Sequence, residues 1–244
     1  MAKTRVLACQ LALRHHRRMK RRFVLSALPA ALLALTGAVK PKAKAKAKAP
    51  PPPPPPPPLG DTVQVELLTE LGPIVVELDH KHAPITVENF MRYVDSGRYD
   101  GMVFYRAMKL DWGKQPNGLV QGGLNDFPLK LLPPIAHEPT SVTGLSHTAG
   151  TLSMARNAPG TARADFSILL SDLTSFDADP KSDNPESQAG YAAFGHVVSG
   201  MDVVLKIFEA PRSPTKGEGV MKGQMLEPRI KVLKARRVAA PPAA

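Results

Sequence analysis

The chain has 244 residues and a formal charge of +11, yet 13 of its 32 Lys and Arg, and none of its 21 Asp and Glu, precede Gly60. The rest carries a net −2, so it lacks the broad positive face that neutralising a phosphate backbone requires, which argues against a nucleic-acid partner. The one cysteine, Cys9, lies ahead of this part, which excludes a disulfide or thiolate metal site there; the 184 residues after Gly60 suffice for one cored domain.

Residues 1–38 read as an N-terminal extension followed by a signal peptide. Met19-Lys-Arg-Arg22 supplies a basic start, Phe23 to Val39 an apolar run interrupted by Pro29, and Thr36 and Ala38 the small residues before a cut. The run is short for a membrane span, which favours a cleaved signal over a retained anchor and predicts export to the periplasm. Arg21-Arg22 is compatible with either a general or a twin-arginine route. Residues 39–60 form a linker in which alternating Lys and Ala precede nine prolines, Pro50 to Pro58. Such a composition buries no core, and in polyproline geometry the proline run alone spans about 28 Å. Its lysines are suited to an anionic envelope surface. The folded domain is expected over 61–238, with a disordered tail at 239–244, and a monomer is expected.

Within the domain, Val63 to Leu68 and Ile74 to Leu78 alternate apolar and polar residues about the turn Glu70-Leu-Gly-Pro73, the pattern of an antiparallel hairpin. Val87, Phe90, Met91 and Val94 repeat at helical spacing over 82–97, with Pro84 in the first turn and Gly97 at the end. Further strands are predicted at Met102 to Ala107, Leu119 to Gln121, Thr151 to Ala155, Phe166 to Leu170, Ala192 to Val198 and Ile230 to Lys234. A second helix is predicted from Met201 to Glu209, with Val204, Leu205 and Phe208 on its apolar face. Many short strands with two helices far apart suit either a sandwich or a closed barrel. The histidines His80, His82, His137 and His147 have no metal-ligand spacing, and Gly144-Leu-Ser-His147 lacks the context of a nucleophile elbow; no metal and no cofactor are expected.

Four segments carry a resemblance. Tyr99-Asp-Gly-Met-Val-Phe-Tyr-Arg106 and Gly118-Leu-Val-Gln-Gly-Gly123 resemble the active-site strands of the cyclophilins, whose pattern is Phe-His-Arg, a loop and Gln-Gly-Gly. Gly150-Thr-Leu-Ser-Met-Ala-Arg156 resembles the strand lining that family's groove. The segment from Gly190 to Asp202 resembles its late strand, turn and helix, so the likeness runs from about Val63 to Arg237. It implies a mainly β fold, a closed eight-stranded antiparallel barrel capped by two helices. The implied activity is peptidyl-prolyl cis-trans isomerisation of proline-containing polypeptide clients, here exported ones.

The resemblance places catalysis on Arg106 and Gln121 and substrate binding on Leu119, Met154, Ala155, Phe176 and Tyr191. A guanidinium presents several donors in one plane and stays charged, which suits it to the prolyl amide as its resonance breaks. Besides Tyr105, which stands where the pattern has His, three positions depart from it. Gly118 stands for a pocket aromatic, Ser167 for a second, and Asp165 for a substrate-binding amide. Trp112, in the loop between the two active-site strands, is the candidate to refill the space together with Phe176, whereas Tyr105 is expected to point away from the groove. If nothing refills it, the alternative is a weak or inactive proline-peptide binding module.

Overall fold

The computed structural model describes residues 55–238. The signal peptide and most of the linker expected over 1–54, and the tail at 239–244, lie outside the described residues. Contacts of the folded part begin slightly before 61, since Leu59 packs on the core and Arg237 donates to the Pro57 carbonyl at 2.9 Å.

Alternation drives the first hairpin. In β1 (Thr62–Thr69) and β2 (Gly72–Asp79) the residues Val65, Leu67, Ile74, Val76 and Leu78 all face the core and are fully buried. The turn between them is closed by the Thr69 hydroxyl, which donates to the Gly72 carbonyl at 2.7 Å. Helix α1 (Pro84–Asp95) follows, with Pro84 in its first turn, where a missing N–H costs nothing. Its N-cap residue Ala83 offers no side-chain acceptor. The Glu138 carboxylate caps the helix instead, accepting from the Ile85 and Thr86 amides at 3.0 and 2.7 Å and from the Thr86 hydroxyl at 2.5 Å.

The chain continues through β3 (Val103–Lys109), β4 (Gly118–Gly123), a short helix α2 (Thr140–Thr143), β5 (Thr151–Met154) and β6 (Phe166–Leu169). It closes with α3 (Pro185–Ala189), β7 (Ala193–Ser199), α4 (Met201–Glu209) and β8 (Met225–Arg237). The eight strands form one closed barrel, in the order β1-β2-β7-β5-β6-β4-β3-β8, with every pairing antiparallel. Among the described residues closure leaves no strand edge unpaired, which is how a mainly β domain of this size avoids edge-to-edge association. α1 packs on β2 and β8, and α4 on β2, β3 and β4.

The strands agree with the sequence pattern to within a few residues except β8, which begins at Met225 because its first residue pairs with Arg106. In α4 the buried residues are Val203, Val204, Ile207 and Phe208, whereas Leu205 is 39% exposed, so the helix is rotated from the face expected. The interior is an aromatic cluster in which Phe90 meets Tyr99 at 4.9 Å and Phe166 at 5.3 Å between ring centroids. The buried Tyr99 hydroxyl is satisfied by donating to the Ala164 carbonyl at 2.8 Å.

Candidate active site

The site starts from an irregularity in β3. Phe104 faces the core, so strict alternation would turn Tyr105 outward and Arg106 into the barrel. The register slips between Phe104 and Arg106 against both neighbouring strands, leaving Tyr105 as the extra residue of a β-bulge. Arg106 therefore faces outward, and Ala107 takes the inward place, fully buried. Across the sheet Arg106 pairs with Gln121 of β4, Gln121 with Ser167 of β6, and Ser167 with Ser153 of β5.

Two glutamines hold the guanidinium. Arg106 Nη1 donates to Gln121 Oε1 at 2.8 Å, and Nε donates to Gln224 Oε1 at 2.8 Å. Among the described residues Nη2 has no partner. Partial burial lowers the Arg106 pKa below the usual arginine value, with Tyr105 and Tyr191 opposing the shift. An arginine so placed is still a cation at neutral pH.

One strand pitch along, the same outer face is apolar. Leu119, Leu169 and Leu173 are buried there, with Met108, Leu110 and Phe176 packed over them. The Phe176 ring lies 5.2 Å from that of Tyr191, and the Arg156 guanidinium sits 4.6 Å from the Tyr191 centroid on its way to Glu186 and the Gly190 carbonyl. Beneath this wall, Asp177 accepts from His147 Nδ1 at 2.5 Å, and His147 Nε2 is 2.8 Å from Ser153 Oγ. Burial holds the His147 pKa below the usual histidine value despite Asp177, so the ring is neutral: Nδ1–H donates to Asp177 and Nε2 accepts from Ser153. With His147 at 0% and Ser153 at 3% exposure, this Ser-His-Asp arrangement presents no nucleophile to solvent. It ties β5 to the turn that carries Phe176.

On the other side of Gln121 lies a cavity of about 440 Å³ lined by Tyr105, Gln121, Asn125, Ala155, Arg156, Arg163 and Asp165, among others. The Asp165 carboxylate accepts from the Leu124 amide at 2.7 Å and from the Tyr105 hydroxyl at 3.2 Å. Burial raises the pKa of Asp165, and burial together with the Asp165 charge raises that of Tyr105.

The family model for cyclophilin type peptidyl-prolyl cis-trans isomerase/CLD matches residues 63–236. The chain belongs to the cyclophilin family. This cyclophilin is 39% identical over 153 residues to a peptidyl-prolyl cis-trans isomerase of Acinetobacter baylyi, an alignment covering 61% of this chain and 73% of the relative. It is 41% identical over 157 residues to the isomerase cyp18 of Streptomyces antibioticus, covering 63% of this chain and 87% of the relative. The crystal structure of a cyclophilin type isomerase from Cryptosporidium parvum shares the fold, with a TM-score of 0.57 and 19% identity over 74% of this chain and 99% of the other.

Within this cyclophilin, Arg106, Gln121, Leu119, Phe176, Tyr191 and Ala155 gather around one outer surface. Met154 and Trp112 do not. Met154 pairs with Phe166 and belongs to the barrel core, because alternation along β5 turns Ser153 outward and Met154 in. Trp112 is 64% exposed and borders a different cavity with Pro116, Ala149 and Leu170. Its loop is held by Asn117 and Gln115, whose side-chain amides donate to the Trp112 carbonyl, so the loop's own hydrogen bonds leave the indole free of the groove.

Gly118 also differs from its expected role. A Cβ there would lie 1.9 Å from the Met108 carbonyl oxygen and 3.1 Å from the Phe208 ring, and φ is +138°. The added Cβ would run into the Met108 backbone and toward α4, so this backbone admits only glycine at 118. Ser167, in contrast, sits on the outer face between Gln121 and Ser153, where a ring would stand over the floor. Tyr105 lines the cavity beside Gln121 instead of pointing away from the groove, because it occupies the bulge. Sequence reading missed Gln224, which stands 118 positions after Arg106 beyond an irregular loop and carries no motif.

Proposed function

We propose that this cyclophilin accelerates cis-trans exchange at X-Pro bonds of exported polypeptides, with Arg106 donating a hydrogen bond to the prolyl nitrogen. Twisting the amide breaks a resonance worth about 18–20 kcal/mol of barrier and leaves a lone pair on nitrogen, so a fixed donor aimed there favours the twisted state over the planar one. The observation that carries the reading is the Arg106 guanidinium, tethered at Nε and Nη1 with Nη2 unpartnered among the described residues, on the outer face. Gln121 fixes its plane. The partly exposed Met108, Leu110 and Phe176, packed over the buried Leu119 and Leu169, offer the proline ring an apolar surface, and the cavity beside Ala155 and Tyr105 offers room for preceding residues. No metal is required by this chemistry.

Export, a cleaved signal and contact of the lysine linker with an anionic envelope surface rest on residues 1–58 of the sequence. Mass spectrometry of the native N-terminus tests the cut. For the chemistry, the full chain is added to an Ala-Pro peptide and exchange is measured by NMR. Line broadening should follow enzyme concentration, and Arg106→Ala should lower the rate by about 10², the loss typical of one preorganised donor. No exchange enhancement would overturn the reading.

One observation favours a second reading. Ser167 leaves only a hydroxyl on the floor beside Gln121, which supports a proline-peptide binding module of low activity. That reading expects micromolar to millimolar peptide binding without enhanced exchange.

A further inference from the structure

Gln224 is tied to β3 at two successive residues, Arg106 and Ala107. Its backbone carbonyl accepts from the amide of Ala107, the residue after Arg106, at 2.9 Å, and its side-chain oxygen accepts from Arg106 Nε at 2.8 Å. The other end of the same amide is committed too, since Gln224 Nε2 donates to the Val220 carbonyl at 2.8 Å. The carboxamide is thereby fixed in orientation, its oxygen toward the guanidinium and its nitrogen toward the turn Gly219–Met221.

We infer that Gln224 is a positioning residue for the isomerase reaction, setting the plane of Arg106 jointly with Gln121. A guanidinium held at one nitrogen pivots about that hydrogen bond. Held at Nε and Nη1 together, it has one orientation, and its Nη2 edge is the edge left for substrate. Both acceptors are neutral amide oxygens, so neither cancels the charge that makes the donor strong; a carboxylate in either place would pair with the cation. The loop from Lys216 to Gln224 supplies this second tether: the Gly223 amide donates to the Lys216 carbonyl and the Gln224 amide to that of Met221, at 2.9 and 3.1 Å. This role rests on the reading of Arg106 as the catalytic donor.

The test uses Gln224→Met, which keeps length and volume but removes the acceptor, and Gln224→Glu, which keeps an acceptor. In the full chain, kcat for the Ala-Pro peptide should fall about tenfold or more in Gln224→Met, as misorientation of a reacting group does, with KM within twofold and Tm within a few degrees. The Arg106 Nε–H resonance should be sharp and slowly exchanging in the unsubstituted protein and in Gln224→Glu, and lost in Gln224→Met. An unchanged kcat or a retained Nε–H signal in Gln224→Met would overturn the inference, as would a loss that appears in KM or Tm alone. Arg106→Ala separates the two failures. If it abolishes exchange while Gln224→Met does not, only the positioning role falls; if it leaves exchange intact, the reading of Arg106 falls.

Discussion

Phe176 is the residue on which the apolar half of the groove turns, and Phe176→Ala isolates its contribution. In the free protein the ring meets Tyr191 at 5.2 Å and His147 at 5.9 Å, and packs on the Leu119, Leu169 and Leu173 cluster. Two aromatic contacts at about 0.5–1.5 kcal/mol each imply a stability loss of roughly 1–3 kcal/mol. For a domain of this size that lowers Tm by about 2–4 °C per kcal/mol. Full burial of such a ring stabilises by about 1.5–3 kcal/mol, and because Phe176 is already partly buried, a proline ring laid on it recovers about half of that. Peptide affinity should therefore weaken about three- to tenfold. Trp112→Ala is the contrast, since the indole borders another cavity and should leave affinity unchanged. The assay is titration of an Ala-Pro peptide followed by NMR, with Tm recorded for each variant. If Trp112→Ala weakens binding while Phe176→Ala does not, the assignment of the proline wall is refuted.

Gly118→Ala should destabilise by about 3 kcal/mol or more, read as a shift in the urea midpoint, because its Cβ meets the Met108 carbonyl at a positive φ; a midpoint within 0.3 M of the parent would contradict the packing described. Tyr105→Phe removes the hydroxyl that donates to Asp165 at 3.2 Å, and the loss of one hydrogen bond to a carboxylate should cost about 1.5–3 kcal/mol in chemical denaturation without altering the Arg106 Nε–H signal. His147 makes stability depend on pH with a definite sign. Its folded pKa is below the usual 6.5, so between those values the unfolded chain binds more protons; stability is complete above about 6.5 and is lost as the pH falls through the lowered value. Tm measured from pH 7.5 to 5 should drop more steeply in the parent than in His147→Gln, and parallel curves would count against it.

Much of this protein was determined by sequence alone. Alternation in Val63 to Leu68 and Ile74 to Leu78, helical spacing in Val87 to Val94, and the Phe-Tyr-Arg and Gln-Gly-Gly segments point to the hairpin, the helix and the pairing of Arg106 with Gln121, because period and turn chemistry are local properties of the chain. Tertiary structure decided what depends on residues far apart. The bulge at Tyr105 turned Arg106 out of the core, and no local pattern announces a bulge whose cause is register against two neighbouring strands. Strand register likewise sent Met154 inward and position 118 toward Phe208. Glu138 caps a helix that begins more than fifty positions earlier, and Gln224 reaches Arg106 across 118, contacts that exist only once the barrel has closed. The identity of the groove was local; its geometry was set by closure, because one outer face of four strands had to bring together side chains that the sequence keeps apart.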